Sequence, residues 1–224
     1  MSAPIVVAAN LLVVAKAPVA GQVKTRLGAV VGTGPATQLA AAALLDSLRA
    51  CRAAVGAEHC HLALAGELAA AVRHEEIASA LQGWSVRPQR GPDFAARLVA
   101  AHADVPGPVL QIGMDTPQVT PALLRATAVG LTRYDAVLAP AADGGWWALG
   151  LRDPAAARVL ATVPMSTPTT YDATLAALRD AGLSVGTGPE LRDVDEAADA
   201  AAVAVLAPES EFARVWAEVR VGSR

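Results

Sequence analysis

Short apolar runs alternate with Ala-rich stretches of helical length along the chain, and this alternation limits the folds open to it. The runs predict strands at Leu11–Ala15, His61–Ala65, Trp84–Pro88, Val109–Gly113, Ala136–Pro140 and Trp146–Leu149, with a weaker one at Leu183–Thr187. Helices are expected at Pro35–Val55, Glu67–Leu81, Phe94–Ala103, Pro121–Leu131, Pro154–Thr162, Thr170–Ala181 and Ala197–Leu206. A last one runs from Glu209 to Val219, with Phe212, Val215, Trp216 and Val219 on one face. Pro35, Pro121 and Pro154 fall in first turns, where the missing N–H costs nothing. Continuous apolar strands between helices predict an α/β fold, a three-layer α/β/α sandwich around a mostly parallel central sheet. No repeat, low-complexity tail or long linker divides the chain, so residues 1–224 read as one domain.

Composition removes several function classes. A chain of 224 residues buries roughly 70% of its unfolded surface, so its core needs no disulfide or metal staple. Cys51 and Cys60 form no CxxC pair. A net charge of −3 argues against a nucleic-acid partner. No apolar run reaches the ~20 residues of a membrane span. Ile5–Ala15 is apolar, but Asn10 interrupts it and no basic region precedes it, so a signal peptide is not expected. A cytoplasmic enzyme or binding domain is the expectation. His59, Cys60 and His61 resemble a metal cluster, yet strand alternation turns Cys60 away from both histidines. Without a G-x-S-x-G elbow, hydrolase chemistry has no nucleophile.

In a parallel sheet ligands bind beyond the carboxyl ends of the strands. The polar residues there are Lys16 onward, Asp115, Asp143, and the pair Asp193 and Asp195. A-K-A-P-V-A-G-Q-V-K-T-R-L, from Ala15 to Leu27, opens as a loop from a buried strand and gathers Lys16, Lys24, Thr25 and Arg26. Backbone N–H groups of such a loop can cradle phosphates while the cations neutralise them. It is not a Walker A loop, because Val23 stands in the second glycine's place, and no G-x-G-x-x-G occurs. Of the 18 basic residues, only Lys16 and Lys24 are lysine, which suggests positions where a compact ammonium is needed. A solvated basic loop is the alternative.

In Q-I-G-M-D-T-P, Asp115 is the first charge after a buried strand, and one carboxylate there can hold Mg²⁺. Helix capping is the alternative, but Thr120 is better placed for it. In L-R-D-V-D-E, extended backbone would put Asp193 and Asp195 on one side, which favours a cation between them. Asp195 could instead cap the next helix. In D-G-G-W-W, Gly144 and Gly145 permit positive φ and close approach to a ligand, and a tryptophan can stack on a base or sugar. A turn into a buried edge strand accounts for these residues equally well. M-S-T-P, with Ser166 and Thr167, is a polar turn.

Taken together in this order, these strings resemble one family. It is the bacterial GT-A-like transferases associated with radical-SAM and selenodomain proteins, some named as arsenosugar-biosynthesis glycosyltransferases. They belong to the nucleotide-diphospho-sugar transferase superfamily. The K-x₇-K-T-R-L loop is also similar to that of the guanylyltransferases of molybdenum-cofactor and deazaflavin-coenzyme synthesis.

The resemblance implies a GT-A fold with a nucleotide held by Ala15, Lys16, Lys24, Thr25 and Arg26. It places Mg²⁺ or Mn²⁺ on Asp115 with Asp193 or Asp195, and catalysis on Lys24 and Asp115. Asp143, Gly144, Gly145, Trp146, Ser166 and Thr167 fall on the acceptor side. Ala142 and Ala96 stand where the family usually has acids, so the acceptor is the open question. Glycosyl transfer from a nucleotide-diphospho-sugar to a small molecule is the preferred expectation. Nucleotidyl transfer from an NTP to a phosphorylated or carboxylated acceptor, releasing pyrophosphate, is the alternative. A silent nucleotide-binding domain is a third reading, and a homodimer is left open.

Overall fold

The computed structural model describes residues 9–222; residues 5–8 of the apolar N-terminal stretch lie outside them. Seven strands form one sheet: β1 (Asn10–Lys16), β2 (Cys60–Ala65), β3 (Ser85–Pro88), β4 (Val109–Ile112), β5 (Ala136–Pro140), β6 (Trp146–Leu151) and β7 (Val185–Thr187). Their order is β3-β2-β1-β4-β6-β5-β7, parallel except for β6, which runs antiparallel to both neighbours. Parallel strands need a crossover of a dozen or more residues, and the short link from Pro140 to Trp146 cannot supply one.

The helices are α1 (Thr25–Val31), α2 (Thr33–Val55), α3 (His74–Ala80), α4 (Phe94–Ala103), α5 (Pro121–Val129), α6 (Thr170–Asp180), α7 (Ala197–Leu206) and α8 (Glu211–Gly222). One face of the sheet packs on α2, α3 and α5 through Leu11, Val13, Leu44, Leu48, Ile77 and Leu124. The other packs on α4, α6 and a 3₁₀ segment, Pro154–Thr162, through Leu12, Leu98, Leu138, Leu160 and Leu178. A further group on the far side of α2 joins Leu39 and Ala43 to Val203, Phe212 and Trp216 of α7 and α8. A helix apolar all round must be covered all round. The middle of α2, from Leu39 to Leu45, meets that condition, and the small size of its alanines lets both layers approach closely.

Three local features differ from the sequence expectation. The basic loop ends in a helix, α1, directly after Lys24. The expected helix Glu67–Leu81 breaks into a 3₁₀ turn and α3, with Arg73 left-handed at φ 56° between them. Glu196, not Asp195, caps α7 in a reciprocal box with Asp199, so Asp195 keeps its carboxylate for other partners. Thr120 does cap α5, accepting from the Leu123 N–H, and Asp115 takes no part.

Candidate functional site

At the carboxyl edge of the parallel strands two clefts adjoin. The larger, about 400 Å³, is lined by Ala15, Lys16, Ala65, Gln89, Phe94, Arg97, Asp115, Thr116, Asp143, Gly145, Trp146, Met165, Ser166, Thr167 and Asp193, among others. The smaller, about 270 Å³, is lined by Lys16, Gln22, Val23, Lys24, Thr25, Arg26, Met114, Asp115 and Asp195. Lys16, Met114 and Asp115 belong to both. The smaller compartment gathers three basic side chains with two carboxylates, and the larger combines aromatic and apolar walls with carboxylates.

Lys24 stands where these charges meet. Its ammonium lies 2.6 Å from Asp115 Oδ1 and 3.2 Å from Asp195 Oδ1. Arg26 Nη1 reaches Asp195 Oδ2 at 3.3 Å. The Lys24 side chain is 8% exposed, whereas that of Arg26 is 70% exposed. Burial works against the ammonium's charge, but Asp115 and Asp195 outweigh it and hold its pKa above the ordinary value. Its backbone is left-handed, φ 48° and ψ 45°, at the point where the loop turns into α1. Ser166 is left-handed too, at φ 58°. Such conformations cost about 1–3 kcal/mol each and persist only where the surroundings impose them. Two of the three non-glycine residues with positive φ among those described thus line these clefts.

The segment after β7 is drawn to the same place by a backbone bond. Val194 N–H donates to the Asp115 carbonyl at 2.9 Å, and the Val194 side chain is buried. Asp193 and Asp195 flank it, yet they do not converge on one point: Asp193 lines the larger cleft and Asp195 the smaller. Burial and the Asp143 carboxylate, then Asp195, push the Asp193 carboxyl up to about 6.

The D-G-G-W-W and M-S-T-P turns are joined at Gly144. Its carbonyl accepts from Tyr171 N–H, and its open face lies against the Pro168 carbonyl. The glycine is required there, at φ 88°, for packing between the two turns and not for approach to a ligand. Unlike the other acceptor-side residues, Gly144 does not line the cleft. The strand that follows is interior, not an edge. Trp147 is buried, donating to the Pro189 carbonyl, and Trp146 lines the cleft with its indole N–H held by Thr174 Oγ1.

Sequence reasoning did not single out Gln89, Phe94 and Arg97. Gln89 immediately follows β3, so the strand-end rule would have found it. Its Nε2 donates to the Ala15 and Ala63 carbonyls at 2.9 and 3.1 Å. Phe94, 45% exposed, signals itself only as an aromatic at the first turn of a helix.

Among the described residues no three His, Cys, Asp or Glu side chains converge as a closed metal cage. An open Mg²⁺-type site needs less, because one or two carboxylates suffice when phosphates and waters supply the rest. Asp115 and Asp195 meet that requirement, since they already share one cation, the Lys24 ammonium. Beside them Thr116 is 2% exposed and its hydroxyl has no partner among the described residues. The donor set fits a hard divalent cation completed by a ligand.

No helix among the described residues is long and apolar enough to cross a membrane. The chain has the fold of the nucleotide-diphospho-sugar transferases. Over 96% of its length it superposes with a TM-score of 0.81 on 95% of a candidate nucleotide-diphospho-sugar transferase from Desulfovibrio desulfuricans G20, at 27% identity. The manganese complex of Rv0371c from Mycobacterium tuberculosis H37Rv is 25% identical, with a TM-score of 0.55 over 87% of this chain and 97% of that one. At 12% identity, 4-diphosphocytidyl-2C-methyl-D-erythritol synthase from Anaerococcus prevotii DSM 20548 shares the fold, with a TM-score of 0.55 over 95% of this chain and 99% of that one. No curated protein matches the sequence. Residues 47–167, more than half of the chain, match the family model described as "Uncharacterized protein conserved in bacteria (DUF2064)", and the chain belongs to that family.

Proposed function

We propose that the protein, acting as one domain in the cytoplasm, is a nucleotide-dependent transferase that moves a glycosyl group from a nucleotide-diphospho-sugar to a small-molecule acceptor. The carrying observation is that the two clefts meet at Lys16 and Asp115, where the Lys24 ammonium in the smaller cleft bridges Asp115 and Asp195. The diphosphate would lie over Lys16, Thr25 and Arg26, with Lys24 turned toward it. The sugar and acceptor would occupy the larger cleft between Trp146, Ser166, Thr167 and Asp143. As the bond from the sugar to the diphosphate oxygen breaks, Lys24 and Arg26 neutralise the charge left on that oxygen. Mg²⁺ or Mn²⁺ on Asp115, with Asp195 or Asp193, would add charge stabilisation at the leaving phosphate. The similarity to a protein crystallised with manganese supports this choice of ion. With Asp195 as the ion's second ligand, Asp193 in the larger cleft is left to take the acceptor's proton.

Nucleotidyl transfer is the second reading, consistent with the fold shared with 4-diphosphocytidyl-2C-methyl-D-erythritol synthase and with the same cluster of basic side chains in the smaller cleft. A thermal-shift panel of NTPs and nucleotide-diphospho-sugars, with and without Mn²⁺, tests both. A ligand at 100 times its Kd stabilises by about 2.7 kcal/mol. Release of NDP supports the first reading and release of pyrophosphate the second. Absence of any shift would remove both.

A further inference from the structure

A lysine in a phosphate-binding loop is a group that awaits an anion. Here Lys24 is already engaged. Its ammonium bridges Asp115 and Asp195 at 2.6 and 3.2 Å and is 8% exposed, while the two carboxylates remain 41% and 37% exposed. The cation is enclosed, and its partners keep open oxygens toward the clefts. Thr116, next to Asp115, holds a buried hydroxyl that no described residue satisfies, so this strand end retains bonding capacity for a ligand.

Mg²⁺ binds carboxylate oxygen at about 2.0–2.1 Å. On Asp115 Oδ1 it would stand closely beside an ammonium on the same atom, with two positive charges facing one across a single oxygen. Resting on the reading of the site given above, we propose that Lys24 and the divalent cation are mutually exclusive on the Asp115–Asp195 pair. The ammonium is the resident cation of the ligand-free protein. A metal ion alone must displace it and leave a buried charge without a partner. Nucleotide phosphates remove that obstacle, because they offer the ammonium a second anion and free Asp115 in the same event. Lys24 thereby couples the two binding steps, in addition to contacting the phosphate.

The consequence is unusual for a residue at a metal site: removing a cationic side chain creates metal affinity. Lys24→Met keeps an unbranched stem of similar length and deletes the ammonium. Asp115 and Asp195 are then like charges with no cation between them. The test is titration of the full chain with Mn²⁺ alone, free Mn²⁺ being followed by electron paramagnetic resonance. Wild type should bind weakly, and Lys24→Met about tenfold or more tightly, within the usual 5–150-fold range of coupling between sites. The double variant Lys24→Met/Asp115→Asn should return to weak binding. Lys24→Gln, neutral but polar, should also gain affinity and serves if the Met variant does not fold.

Wild type binding Mn²⁺ as tightly as Lys24→Met or Lys24→Gln overturns the proposal. So does a gain that survives Asp115→Asn. The titration contains no nucleotide, so failure of the transferase reading in the thermal-shift panel leaves this result to stand or fall by itself.

Discussion

A methyl group on Gly144 would run into the carbonyl oxygen of Pro168. Two turns far apart in sequence, D-G-G-W-W and M-S-T-P, thus touch backbone to backbone, and the wall of the larger cleft depends on that contact. Gly144→Ala should therefore do more than introduce a left-handed alanine. Gly107 offers the comparison, at φ 68° with nothing within 4 Å of an added Cβ. Gly107→Ala should cost about 1–2 kcal/mol from the backbone alone. That corresponds to a Tm loss of roughly 2–8 °C for a chain of this size. Gly144→Ala should lose clearly more in calorimetry. Equal losses would show that the packing of the two turns is not what requires the glycine.

Lys24→Arg preserves charge and should still lose most activity. The ammonium sits between two carboxylates with 8% of its side chain exposed, and Arg26 already presents a guanidinium to Asp195. A second planar fork needs room that an enclosed point charge does not. Losing one transition-state contact of this kind costs about 10²–10³ in rate. Arg133→Lys, remote from both clefts, should leave turnover unchanged. Wild-type turnover in Lys24→Arg would remove Lys24 from the catalytic contacts.

Asp115→Ala should fold and still lose the Mn²⁺-dependent part of any nucleotide-induced thermal shift. Asp115 belongs to both clefts and does not cap α5, so its removal leaves the helix and the β4 strand intact. Lys24 retains Asp195 as a partner. Persistence of the full Mn²⁺-dependent shift would place the cation elsewhere.

The strands and their cleft-facing ends were legible in the sequence because apolar runs and the charges that follow them are local signals. Lys16, Asp115 and Asp143 were found in this way. The meeting of Lys24 with Asp195 was not readable, since it joins positions 171 residues apart through the order of strands in the sheet. α1, seven residues long, is too short to show a helical period, and it follows a left-handed lysine that no propensity scale favours. The break at Arg73 has the same origin. There the guanidinium is held by Glu76 and by Glu211 of α8, a tertiary ion pair that overrides the local helical pattern. The antiparallel direction of β6, by contrast, was available from loop length alone.

Beneath the larger cleft, stability should depend on pH through His102. This residue, on α4, is fully buried, and its Nε2–H donates to Gln111 Oε1 at 2.8 Å. Its Nδ1 has no partner among the described residues, so a second proton there would be buried without an acceptor. Burial dominates over the favourable bond to Gln111 and lowers the pKa from 6.5 to about 4. The unfolded chain therefore takes up a proton near pH 6.5 while the folded chain refuses it until about pH 4. The contribution is fully present above pH 6.5, falls as pH drops through this window and levels off below about 4. Its size is on the order of 3 kcal/mol. Replacing the ring in His102→Leu removes the titration and leaves Gln111 unpaired, which costs stability at every pH. The informative quantity is the slope: urea-derived unfolding free energies between pH 7 and 4 should fall more steeply for wild type than for His102→Leu. Groups common to both proteins, Asp193 among them, cancel in that difference. Parallel pH profiles for the two proteins would mean that His102 is protonated as readily in the fold as out of it.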